Sequence, residues 1–162
     1  MSLAAQILDK AKQCNILIAA AESCTGGMVM AALTDIAGSS AVAERGFVTY
    51  SNAAKMQMLG VKATTLDAHG AVSEEVAAQM AKGALSNSEA ELSVSITGIA
   101  GPGGSEHKPE GRVCFAISDI QNTNTETVEF GALGRGNVRV AARDHALQML
   151  LDRLDLIIGK TS

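Results

Sequence analysis

Tryptophan is absent from this chain, and its 162 residues include one tyrosine and three phenylalanines. Large rings therefore do not build the core, and the aromatic platforms on which nucleic-acid bases stack are missing. Basic residues do not dominate either: thirteen Lys and Arg stand against seventeen Asp and Glu, giving a net charge of −4 with no basic run. That balance does not support nucleic-acid binding. An acidic protein can still hold a phosphate locally, through a helix N-terminus and one or two arginines. Cys14, Cys24 and Cys114 are an odd set with no paired spacing, which argues against a disulfide framework and a zinc site. No apolar run reaches the roughly 18 residues that a bilayer span requires, so no membrane partner is expected. The first ten residues read as an amphipathic helix with charges inside it. They lack the basic start and unbroken apolar centre of a secretion signal, and a cytoplasmic location is expected.

What is present agrees with a compact α/β domain. Apolar residues make up 47% of the chain, with alanine and small aliphatics prominent, which suits helices packed closely on a sheet. The length fits one domain over residues 1–162, long enough to bury most of its unfolded surface, with no linker, repeat or low-complexity tract. Strand and helix alternate. Residues 3–14 read as helix and 16–22 as a strand, and a helix opens at Gly26-Gly27 and runs toward Ile36. A strand over about 43–50 is followed by a short helix holding Lys55. A longer helix starts at Ser73, where Ser-Glu-Glu is a cap with acidic residues at the positive helix end, and Val76, Ala77, Met80 and Ala84 keep helical spacing. Leu92 to Ile99 reads as a buried strand. A Gly/Pro-rich loop over 98–111 leads to a strand over 113–118 and another near 126–130, joined by the polar turn Asn122-Thr-Asn124 as an antiparallel hairpin. A final helix covers about 138–158. The expected architecture is a three-layer α/β/α sandwich with a mixed sheet of about five strands.

Ser23, in the run Ala-Glu-Ser-Cys-Thr-Gly-Gly over 21–27, sits where a strand gives way to a helix. A hydroxyl nucleophile there stands beside backbone N–H groups able to hold an oxyanion or a phosphate; the plainer reading is that small residues let the chain bend. The only tyrosine, Tyr50, lies five residues before Lys55 in Phe47-Val-Thr-Tyr-Ser-Asn-Ala-Ala-Lys55. The alternative for Tyr50 is a strand end with its ring inside and its hydroxyl at the rim, and for Lys55 a solvated helix surface. Thr97 and Gly98, in a loop with Gly101, Gly103 and Gly104, are candidate substrate contacts or parts of a flexible crossover. The spacing Gly98-Ile-Ala-Gly101-Pro-Gly103 is not the dinucleotide fingerprint, so no cofactor is expected. Cys24 is a rival nucleophile only if a neighbour stabilises its thiolate. His69, read in a turn, His107 in the glycine-rich loop and His145 on the last helix leave a Ser-His-Asp triad open in space, although no G-x-S-x-G elbow surrounds Ser23.

The segments AESCTGG (21–27), GSS (38–40), VTYSNAAK (48–55), LGV (59–61), GAVS (70–73), SITGIAGPGG (95–104) and KPEGRV (108–113) together resemble the C-terminal domain of the CinA family, known for competence- and damage-inducible proteins. In bacteria that domain is the nicotinamide-nucleotide amidase, or NMN deamidase, of pyridine nucleotide salvage in NAD metabolism. The resemblance implies a single stand-alone domain of this type. It also implies hydrolysis of the carboxamide of nicotinamide mononucleotide (NMN) to nicotinate mononucleotide and ammonia by a Ser/Lys hydrolase. Carried over by position, the catalytic residues fall on Ser23, Tyr50 and Lys55. Glu22, Cys24, Thr25, Gly26, Gly27, Thr97, Gly98, Arg135 and Arg139 are expected to contact substrate. Arg135 or Arg139 resembles the family arginine that pairs with the substrate phosphate. Glu22 either orients Lys55 or caps a sheet edge.

In this scheme neutral Lys55 takes the Ser23 proton, directly or through the Tyr50 hydroxyl. The oxyanion lies against N–H groups of the Cys24–Gly27 or Thr97–Gly98 turn. Three positions depart from the family pattern: Gly134 stands where an acidic residue is expected, and Glu110 and Arg112 stand in the loop where smaller neutral residues are usual. The alternatives are a catalytically silent nucleotide-binding or regulatory domain, and an amidase acting on another small amide. Alanine- and methionine-rich helices suggest a homo-oligomer.

Overall fold

The computed structural model describes residues 1–105 and 107–161. Among the described residues six helices and five strands follow in the order α1 (Leu3–Gln13), β1 (Ile18–Glu22), α2 (Met28–Thr34), β2 (Ala43–Val48), α3 (Asn52–Leu59), α4 (Ala63–His69), α5 (Glu74–Ser86), β3 (Leu92–Gly98), β4 (Arg112–Asp119), β5 (Thr123–Glu129) and α6 (Arg135–Thr161), with a 3-10 turn at Ser39–Ala41 before β2. None of these helices is long and apolar enough to cross a membrane.

The strands form one mixed sheet in the order β2-β1-β3-β4-β5. β1 runs parallel to both β2 and β3, whereas β4 is antiparallel to β3 and to β5. Alternation along the strands supplies both faces. Ile18 and Ala20 of β1, with Leu92, Val94 and Ile96 of β3, join the core beneath α1, α2 and α6. Ala19 and Ala21 face the other way, against Val76, Met80 and Ala84 of α5. The result is the three-layer α/β/α sandwich.

The α5 layer sits close because the β3 residues facing it are small and polar. The buried hydroxyls of Ser93 and Ser95 donate to the carbonyls of Ala81 and Ala77 at 2.7 and 2.6 Å. These bonds satisfy groups that burial would otherwise leave unpaired. Gly83 permits the matching approach of α3, since a Cβ there would lie 1.9 Å from the Leu59 carbonyl oxygen.

Several boundaries differ from the sequence reading. Residues 63–69 form α4, so His69 ends a helix and does not lie in a turn. β2 stops at Val48, two residues short of Tyr50. β5 begins at Thr123, which moves the hairpin turn to residues 120–122. Asp119 fixes that turn by accepting the amides of Gln121 and Asn122, both at 2.8 Å, while the buried Arg153 donates to its other oxygen at 2.7 Å. The last helix starts at Arg135, a turn earlier than its apolar pattern, because the chain reverses at Gly134 with φ +96°.

The topology determines where a ligand can enter. β1 lies between its two parallel neighbours, and the chain leaves it toward β2 through α2 on one face, then reaches β3 through α3, α4 and α5 on the other. Crevices of open α/β sheets form outside the carboxyl ends of strands where the winding reverses. Ser23 follows β1, Tyr50 follows β2 and Gly98 ends β3, so all three sit at that point.

Candidate active site

The backbone of Ser23 prolongs the sheet for one residue, its amide donating to the Ile96 carbonyl at 3.0 Å. The chain then turns sharply through Gly26 (φ +57°) and Gly27 (φ +106°), angles that residues with a Cβ rarely adopt. Lys55 comes from the other side. Ser51 caps α3, its hydroxyl accepting from the Ala54 amide at 3.0 Å, and so sets Lys55 one turn into the helix. Lys55 is among the largest fully buried side chains of the protein, 2% exposed, and is not a solvated helix lysine. Its Nζ donates to Ser23 Oγ at 3.1 Å and to the Tyr50 carbonyl oxygen at 3.2 Å.

Tyr50 does not end a strand with its ring inside: the residue is 63% exposed, and the ring does not lie in the core. Its hydroxyl accepts from Arg135 Nη2 at 2.9 Å, and it is the backbone of Tyr50, not the hydroxyl, that meets Lys55. Arg135 Nη1 also donates to the Gly101 carbonyl at 2.7 Å, tying the start of α6 to the glycine-rich loop.

These groups border a cavity of about 310 Å³, lined by Ser23, Cys24, Tyr50, Lys55, Thr97, Gly98 and Arg135, by the loop from Ile99 to Ser105, and by Asn52, Ala71 and Val72. The volume is at the lower end of the range of small-molecule sites. Asn52, Ser105 and the Ala71-Val72 pair were not singled out from sequence. Asn52 lies inside the 48–55 segment and Ser105 follows the 95–104 segment, while the fold brings Ala71 and Val72, of the 70–73 segment, to the cavity. Lys108 donates to the carbonyls of His69 and Val72, which holds the loop against the segment before α5.

The remaining site residues divide. Thr97 and Gly98 line the cavity, but the Thr97 hydroxyl is already committed, donating to the Ala71 carbonyl at 2.8 Å. Glu22, Thr25, Gly26, Gly27 and Arg139 do not line it. Glu22 is 1% exposed and accepts from the Thr25 hydroxyl and from the amides that open α2; it ends an inner strand and so caps no sheet edge. Arg139 donates to the Cys24 carbonyl at 2.9 Å. The amides of Gly26 and Gly27 are taken by the Ser23 carbonyl and by Glu22, which removes them as oxyanion donors.

Burial pushes the Cys24 thiol up to about 11, outweighing a hydrogen bond from its own backbone amide and the nearby Arg139 charge, so the thiol stays protonated at neutral pH. The histidines are elsewhere. His69 pairs with Glu75 at 3.3 Å and His145 with Glu126 at 2.7 Å, and neither they nor His107 line the cavity, so no Ser-His-Asp triad forms at Ser23. The unusual loop residues have partners: Glu110 accepts the Gly103 amide and Arg112 bonds Glu129 at 2.6 Å.

The arrangement can therefore carry out nucleophilic catalysis: a hydroxyl with an amine within hydrogen-bonding reach, at a cavity with a guanidinium on its rim. Proteins of known sequence and structure resemble this chain over most of its length. "Nicotinamide-nucleotide amidohydrolase PncC" of Escherichia coli (strain K12) is 51% identical over 151 residues, covering 93% of this chain and 92% of that protein. The crystal structure of the competence/damage inducible protein CihA from Agrobacterium tumefaciens matches with a TM-score of 0.90 at 48% identity, covering 94% of this chain and 93% of the other. That of the competence damage-inducible protein A (ComA) from Klebsiella pneumoniae matches with a TM-score of 0.91 at 36% identity, over 94% and 95%. The family described as "CinA C-terminal domain" matches residues 1–154, and this chain belongs to it.

Proposed function

We propose that the protein hydrolyses the carboxamide of NMN to nicotinate mononucleotide and ammonia, with Ser23 as nucleophile and Lys55 as its base. The observation that carries the reading is the 3.1 Å bond between Lys55 Nζ and Ser23 Oγ at the floor of the cavity. The half-identical amidohydrolase from Escherichia coli supplies the substrate class. To accept a proton Lys55 must arrive neutral.

In the proposed reaction Ser23 Oγ attacks the carboxamide carbon as its proton passes to Lys55 Nζ. The tetrahedral oxyanion is assigned to the Cys24 amide, at the turn that follows Ser23. The C–N bond then breaks, and ammonia leaves with the proton returned by Lys55. Water, losing a proton to Lys55, attacks the acyl-enzyme ester; Ser23 recovers its proton and nicotinate mononucleotide is released. Arg135, on the rim, is placed to meet the substrate phosphate by giving up its bonds to Tyr50 and Gly101.

The test is ammonia release from NMN, with nicotinamide riboside and free nicotinamide as controls, for the parent protein and for Ser23→Ala and Lys55→Ala. Release from NMN that disappears in both folded variants supports the reading, and the rate should rise with pH as the base loses its proton. No release from any of the three, while NMN still raises Tm, would identify a nucleotide-binding domain without catalysis.

A further inference from the structure

The turn that carries Ser23 is gripped from both sides by charged groups that do not reach the cavity. On one side is the Glu22 carboxylate: Oε1 accepts the Thr25 hydroxyl at 2.6 Å and the amides of Gly27 and Val29 at 3.2 and 3.1 Å, and Oε2 accepts the Met30 amide at 3.2 Å. On the other is Arg139, whose Nε donates to the Cys24 carbonyl at 2.9 Å and whose Nη2 donates to the Thr25 carbonyl at 3.4 Å. A carboxylate only accepts and a guanidinium only donates, so the two sort the turn by polarity, with amides toward Glu22 and carbonyls toward Arg139. Gly26 closes the turn at φ +57°, a backbone conformation that residues with a Cβ rarely adopt.

We propose that Glu22 and Arg139 are positioning residues that fix the 23–27 turn so that Ser23 Oγ meets Lys55. Neither touches substrate, which takes Arg139 out of the phosphate site and leaves Arg135 there. The proposal rests on Ser23 being the nucleophile proposed above. Displacing a reacting group by about 1 Å can cost on the order of a hundredfold in rate, so a loosened turn should lower turnover while leaving affinity nearly intact.

The test compares the parent chain with Arg139→Ala, Arg139→Lys and Glu22→Gln in two assays. The first measures kcat and KM for NMN. The second measures the rate at which an aryl fluorophosphonate labels Ser23, a step that forms the Oγ–P bond, expels fluoride and passes the hydroxyl proton to Lys55. Arg139→Ala should lower kcat and the labelling rate together, by roughly ten- to a hundredfold. KM should stay within about twofold of the parent, and Arg139→Lys, which can still donate to a carbonyl, should recover part of both rates. Unchanged kcat and labelling would overturn the proposal. So would a raised KM with kcat intact that disappears with nicotinamide riboside, the signature of a phosphate ligand. If Glu22→Gln does not fold, the Arg139 pair decides. Labelling separates the two proposals: a parent chain that labels at Ser23 without hydrolysing NMN refutes the substrate assignment and leaves the grip testable, whereas a parent chain that does not label refutes both.

Discussion

Arg135 Nη2 lies 2.9 Å from the Tyr50 hydroxyl, joining the first turn of α6 to the segment after β2 across 85 positions of sequence. In that bond the hydroxyl oxygen accepts from a guanidinium, while Lys55 reaches Ser23 directly and without the tyrosine between them.

Tyr50→Phe should accordingly cost little chemistry. A fall in kcat of about tenfold or less is expected, against about a thousandfold or more for Lys55→Ala, with the larger change for Tyr50→Phe in KM as Arg135 loses its partner. Steady-state kinetics on NMN decide this, and equal losses of kcat in the two variants would restore the tyrosine as a proton relay.

Cys24 adjoins the nucleophile yet should be chemically quiet. Its thiol is pushed up to about 11 by burial, so the thiolate is scarce at neutral pH and grows only as pH approaches that value. Iodoacetamide should leave Cys24 unmodified at pH 7 in the folded protein, with alkylation rising steeply above pH 10, and Cys24→Ala should keep NMN hydrolysis. Peptide mapping by mass spectrometry after a timed pulse reads the outcome.

Two helical glycines should respond in opposite directions to the same substitution. Gly83→Ala would place a Cβ 1.9 Å from the Leu59 carbonyl oxygen, a backbone atom that cannot move aside alone. Destabilisation of about 1–3 kcal/mol is expected despite alanine's better helix propensity. Gly136→Ala, in the first turn of α6 with no atom within 4 Å of the added methyl, should gain about 0.4–1 kcal/mol. Thermal and urea unfolding of the two variants would show Tm moving down in one and up in the other.

Asp119 ties stability to acid. Burial tends to raise its carboxyl, but the amides of Asn122 and Gln121 and the Arg153 guanidinium outweigh it and hold the group below its ordinary 3.8. A carboxylate lowered on folding contributes stability above its unfolded value, and that contribution is lost as pH falls through the folded value. Stability should decline below about pH 4, and Asp119→Asn should flatten that decline while lowering stability at pH 7. Urea midpoints at pH 3, 4 and 7 give the comparison.

Where the sequence was legible, a local pattern and the tertiary environment agreed. Ser73 reads as a cap from Ser-Glu-Glu, and its hydroxyl does accept the Val76 amide at 3.2 Å. The alternating residues of β3 read as a buried strand and are one. α4 was missed because Ala63-Thr-Thr-Leu66 shows neither apolar periodicity nor a side-chain cap, and Leu66 is the residue that packs it against the α5 side of the core. The start of β5 was misplaced because Asn122-Thr-Asn124 looks like a turn. Pairing with β4 draws Thr123 and Asn124 into the sheet, while the Ser118 and Thr123 hydroxyls meet at 2.7 Å and Arg153 takes the Asn124 side chain.

The sequence by itself determined the alternation of elements, the three layers and the family, because apolar period, caps and glycine-rich turns are local properties of the chain. It also placed Ser23 and Lys55 in their motifs. Only the tertiary structure decided that Lys55 is buried against Ser23, that Tyr50 turns outward to Arg135, and that Glu22 and Arg139 grip the turn instead of lining the cavity. Those outcomes depend on which residues the sheet order β2-β1-β3 brings to one end and on which polar partners each side chain finds there, and neither is encoded in sequence spacing.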